Sequence, residues 1–175
     1  MNYDHALSDI AEAERLGILD LGMIVWTKAV ALEGRGKRSD LMSAIDLFTV
    51  SLQLTRTGQP DLDARLAGLY DVDALSRRAW AEYLVGEYQH EIRDSQTALN
   101  LAAQRSVFVP GLFKVITLSN LAENKVWAAI KAATEFESRT GYIFATELRG
   151  VLTVLETDPQ RALIAARNLW AESGY

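Results

Sequence analysis

Apolar residues recur along this chain at intervals of three and four, the spacing that gives a helix one buried face. Runs of this kind predict helices near 4–16, 19–34, 39–56, 60–70, 72–85, 87–104, 110–122, 124–139, 142–156 and 158–172. The punctuation agrees. Pro60, Pro110 and Pro159 each stand where a run begins, and proline suits the first helical position because its missing N–H would have been unpaired there. Asp158 reads as an N-cap, its carboxylate accepting from the free amides of the first turn. Gly58, Gly141 and Gly174 close apolar runs, as expected of helices that end in the left-handed conformation.

Two of the runs share a phrase. AIKAATEFESRTG (Ala129 to Gly141) and ALIAARNLWAESG (Ala162 to Gly174) match at an offset of 33 residues in their alanines, in Ile/Leu at the second place and in the closing glycine. The same spacing extends backwards to Ala44-Ile45 with Phe48, Ser51 and Leu52, and to Ile92 with Ser95, Ala98 and Leu99. Four equivalent second helices follow, anchored at Ile45, Ile92, Ile130 and Leu163, and these anchors are expected to be buried. Between the first and second of them Leu62, Leu66 and Leu69 form one apolar stripe, so Gly58 to Tyr70 are expected to add a docked helix.

Gly86-Glu87-Tyr88, Glu91-Ile92 and Ala98-Leu99-Asn100-Leu101 resemble the second-helix wording of the tetratricopeptide repeat family, whose period is near 34 residues. Small residues such as Ala79, Gly150, Ala98, Ala129 and Ala162 allow the close helix approach such repeats need. The chain departs from the wording at Glu91, where the family prefers alanine, and at Leu32 and Thr117, which replace small residues. The resemblance implies a single all-α domain over 1–175: a right-handed α–α superhelix of about four helical hairpins plus an N-terminal helix. It also implies a concave face lined by the first helix of each hairpin, and scaffolding, secretion chaperoning or complex assembly as roles.

Composition narrows the classes further. A chain of 175 residues that is 49% hydrophobic and 23% charged can bury a sizeable core. Its formal charge of -5 argues against nucleic acid as a partner. The absence of cysteine excludes disulfides and thiolate chemistry. The acidic start, MNYDHALSDIAEAERLG, lacks the bases and apolar run of a secretory signal, so a cytoplasmic location is expected. Ile18 to Leu32 is the most apolar stretch, yet Asp20 and Lys28 interrupt it, which points to a buried helix and not to membrane insertion.

Little chemistry is written in the side chains. Glu87 and His90 form one Glu-x-x-His, but a di-iron site needs a second copy and none exists, so neither metal nor cofactor is expected. Gly34-Arg35-Gly36-Lys37-Arg38-Ser39 lacks the spacing of a phosphate loop and reads as a turn between two helices. Of the tryptophans, Trp127 reads as structural, whereas Trp80 lies beside Arg77 and Tyr83 on a first helix.

Helical spacing places Asp73, Arg77, Trp80 and Leu84 on one face of the second hairpin's first helix. Lys114 and Leu118 in the third hairpin, and Glu147 and Val151 in the fourth, are the corresponding positions. Only Arg77 and Lys114 are available for the cationic ring with which members of the family grip a terminal carboxylate. The expectation is a noncatalytic interaction protein that holds another protein or peptide on this groove. The alternative is a regulatory domain with a small molecule near Trp80 and Tyr83. Leu169 and Trp170 are adjacent, so one helix face cannot bury both, and a homodimer through the C-terminal helix is expected to cover them.

Overall fold

The computed structural model describes residues 2–17, 21–56 and 64–140, and these are built from helices alone: α1 (Tyr3–Arg15), α2 (Leu21–Arg35), α3 (Arg38–Arg56), α4 (Ala64–Val85), α5 (Tyr88–Gln104), α6 (Pro110–Ala122) and α7 (Val126–Thr140). Their ends follow from local chemistry. Asn2 caps α1, its Oδ1 accepting from the His5 amide at 3.4 Å, and Pro110 opens α6. Gly86 ends α4 at φ 92°, a conformation that glycine reaches without Cβ strain. There the Gly86 amide donates to Tyr83 O at 3.1 Å and the Glu87 amide to Glu82 O at 2.8 Å. α5 and α6 close with the same paired bonds, around Ser106 (φ 57°) and Asn124 (φ 59°). These stops carry no glycine and escape a search for glycine. Gly58, Gly141 and Gly174, the expected stops, lie outside the described residues.

The helices divide between two compact units, Met1–Glu87 and Tyr88–Tyr175. In the first, α2 packs on α1 and α3, α3 packs on α4, and α4 also touches α2. Only Gly36 and Lys37 separate α2 from α3, so these two turn back on each other as a hairpin. Ala29, Ala44, Ala79 and Ala81 are fully buried along these contacts, and their small side chains let the axes approach. In the second unit α6 packs on both α5 and α7. Its Leu112, Phe113 and every residue from Val115 to Leu121 are buried, so α6 is the core of the described part of that unit.

Two expectations need correction. The runs 60–70 and 72–85 are not separate helices: residues 64–85 form α4 without a break, because no proline or glycine falls at 70–72 and Val72, Leu75 and Ala79 continue one buried stripe. The remainder of the expected added helix, 58–63, lies outside the described residues. The anchors Ile45, Ile92 and Ile130 are half-buried, not buried. The centre of each stripe falls one residue earlier, on Ala44, Glu91 and Ala129, which leaves each isoleucine at the margin of its contact. Leu163 lies outside the described residues.

α1 seals the end of α2 through a close approach. The Tyr3 ring lies against Gly34, where an added Cβ would clash with Cε1 and Cζ of the ring, while Ile10 packs with Ile24 and Ala31. Replacing a helical glycine by alanine ordinarily stabilises, by up to roughly 0.5–1 kcal/mol in a helix interior and by less in a last turn such as that of Gly34. We expect Gly34→Ala to show that gain in a Tyr3→Ala background and to lose or reverse it with Tyr3 present. Urea unfolding of the four proteins checks this, and an equal gain in both backgrounds would contradict the contact.

Candidate functional site

The face expected on α4 is built in part by α2. Trp26 of α2 donates its indole N–H to Asp73 Oδ2 at 3.0 Å, and Arg77 bonds the same carboxylate through Nε at 3.1 Å. Arg77 Nη1 also reaches Glu33 Oε2 of α2 at 2.9 Å, while its guanidinium lies 5.8 Å from the centre of the Trp26 ring. Tyr70 meets that ring edge-on at 5.9 Å. Burial pushes the Glu33 carboxyl up and Arg77 opposes the shift, so the ion pair is partly desolvated. Two carboxylates and one guanidinium thus fix the half-buried Trp26 in place.

One and two turns beyond Arg77, Trp80 and Leu84 continue the same face. Trp80 is half-buried and stacks on the buried Tyr83, ring centres 5.5 Å apart. Leu84 and Met23, a turn before Trp26, are each 44% exposed. The α2 and α4 helices therefore carry aromatic and aliphatic groups beside a charged cluster that joins the two helices. Sequence spacing found Asp73, Arg77, Trp80 and Leu84; it missed Trp26 and Glu33, which nothing in the local pattern ties to residues more than forty positions away.

The positions expected to extend this groove belong to the second unit. Lys114 is half-buried, and burial lowers its pKa. Leu118 does not line an open face: it is buried, as is every residue of α6 from Val115 to Leu121. Glu147, Val151, Leu169 and Trp170 lie outside the described residues. Trp127, expected in the core, is 84% exposed. The buried stripe of α7 runs through Ala129, Ala132, Ala133 and Phe136, and Trp127 sits two residues, about 200°, from Ala129 on the opposite side.

The basic turn at 34–38 has one of its cations committed. Arg35 bonds Asp40 through Nη2 at 2.7 Å and Asp4 through Nη1 at 2.8 Å, and the Arg35 hydrogen bond is what holds the Asp40 carboxyl below its usual range. Lys37 and Arg38 are exposed. Glu87 and His90 are exposed as well, and among the described residues no group of three His, Asp or Glu side chains is arranged to hold a metal. No helix among the described residues is long and apolar enough to cross a membrane.

The most unusual group is Glu91. It occupies the centre of the α5 stripe with no exposed surface. Its Oε1 accepts from the Ser95 hydroxyl at 2.6 Å. Ser119 of α6 lies near enough to favour the ionised form, yet neither its hydroxyl nor Glu91 Oε2 reaches hydrogen-bonding geometry. Burial dominates and pushes the carboxyl up to about 7, against the two hydroxyls and with a small push from Asp94.

Comparison with protein-family models, with curated proteins and with solved structures finds no match to this chain. Its function is accordingly read from its own geometry.

Proposed function

We propose that this chain is a noncatalytic interaction module, and that the α2/α4 face of the first unit receives a segment of another protein. The observation that carries this reading is the Trp26–Asp73–Arg77–Glu33 cluster flanked by Met23, Trp80 and Leu84. Tryptophan and arginine are the residues most enriched where binding energy concentrates. Here both are pre-positioned, so little side-chain entropy is lost on contact.

Repetition of the short-linked helix pair supports the broader reading of a right-handed tetratricopeptide-like superhelix acting as a scaffold, adaptor or chaperone in the cytoplasm. Among the described residues each helix packs on its sequence neighbour within its unit, and α4 also reaches α2, as a stacked hairpin would.

The test uses exposed positions, whose replacement leaves the core intact. A partner protein captured from the native host by wild type should bind Met23→Asp and Leu84→Asp at least about tenfold more weakly, as expected for losing apolar anchors at an interface. Equal binding by all three proteins, with unchanged circular dichroism, would remove this face from the interaction.

A further inference from the structure

A second surface lies entirely within the other unit. α5 and α7 both pack on α6 while their own backbones stay apart, which leaves a slot of about 420 Å³ between them. Ile92 and Leu99 of α5 and Phe113 and Ile116 of α6 supply its apolar lining. Three polar features interrupt that lining, and each lacks a full set of partners.

The first is Asn120, on the slot's floor and only 5% exposed. Its Nδ2 donates to Ile116 O at 2.8 Å, while its Oδ1 accepts nothing among the described residues. That oxygen keeps contact with solvent in the slot and is free to accept from an occupant that brings a donor. The second is Asn100 on the α5 rim, whose only side-chain bond among the described residues is a long one, 3.4 Å, from Gln96. The third is Lys131 on the α7 rim. One and two turns further on, Glu135 and Arg139 neutralise each other at 2.8 Å, and Arg139 covers the Phe113 ring at 5.4 Å. Lys131 has no such partner among the described residues. The slot therefore carries an excess of one positive charge in a chain whose formal charge is -5.

These features call for a ligand with a free N–H for Asn120, a carboxylate for Lys131 and apolar groups for the floor. An extended polypeptide segment offers all three together. A helix does not, since its backbone amides are already bonded within it. We propose that the α5/α7 slot binds an extended peptide segment of a partner protein in which an acidic side chain follows or precedes an apolar one. This surface does not rest on the α2/α4 reading; the two stand or fall separately.

The test is selection of random 12-residue peptides displayed on phage, with the full chain as bait, followed by fluorescence anisotropy on synthetic peptides. Wild type should select Asp or Glu beside an apolar residue. Lys131→Glu, an exposed change, should weaken the selected peptide by about tenfold or more and, on reselection, replace the acid by Lys or Arg, as charge complementarity sets specificity. Asn100→Ala should weaken binding too, while Met23→Asp and Leu84→Asp leave it unchanged. Four results would each overturn the proposal: no acidic preference, indifference to Lys131→Glu, a helical bound peptide, or N-acetyl-glutamate amide binding as tightly as the peptide. The last would mean a small-anion site only.

Discussion

Glu91→Gln should become progressively more stable relative to wild type as pH rises from 5 to 8, with the difference between them growing by about 2–3 kcal/mol. The Glu91 carboxyl is raised by burial from 4.5 to about 7 in the folded chain, so the native state holds its proton more tightly than the unfolded state does. The stabilisation is complete below the unfolded pKa and is lost as pH rises through 7. A carboxyl carried from 4.5 to about 7 is worth about 3 kcal/mol in full at about 1.36 kcal/mol per pH unit, and most of it falls in this window. The glutamine side chain would keep an oxygen for the Ser95 hydroxyl and has no proton to lose. Carboxylates held below their usual range, such as Asp40, act in the opposite direction in both proteins and cancel in the comparison. Urea unfolding of the pair at pH 5, 6, 7 and 8 measures the effect. Parallel profiles would show that the carboxyl is not buried between α5 and α6 as described.

Phe48→Ala should cost about 3–5 kcal/mol, roughly a fifth or more of the stability of an ordinary domain. Phe48 is fully buried on α3, which lies in contact with both α2 and α4. Its loss removes the largest fully buried side chain among the described residues of the first unit. The alanines at 29, 44, 79 and 81 already bring these helices close, so the backbone has little room to collapse into the space, which favours the upper end of that range. Val50 lies two residues along the same helix and is exposed. Val50→Ala should therefore change stability by less than about 0.5 kcal/mol. Denaturant unfolding of both variants distinguishes the two sites, and similar small losses would place Phe48 outside the core.

Helix existence was legible because its causes are local. The spacing of apolar residues, Pro110 at a first turn and the short links between runs place α1, α2, α3, α5, α6 and α7 within one or two residues of their observed bounds. The failures at 70–72, Ser106 and Asn124 are local too, but they turn on small differences. A polar pair around Val72 looks like a break although it is compatible with a helix, and serine or asparagine enters the left-handed region only when the following chain demands it.

The candidate site divides along the same line. Helical periodicity by itself determined that Asp73, Arg77, Trp80 and Leu84 share a face, since 3.6 residues per turn leaves no other arrangement. Which side of each helix is covered was decided only by the tertiary structure. Packing on α6 buried Leu118 and turned Trp127 outward, and the approach of α2 to α4 joined Trp26 and Glu33 to Asp73 and Arg77 across the intervening helix. The sequence likewise marked Glu91 as a departure from an alanine position, but its burial, and with it the raised pKa, comes from its packing. Periodicity is a property of one helix, whereas burial and desolvation belong to the contact between two, and the pairing of helices distant in sequence is fixed only when the chain has folded.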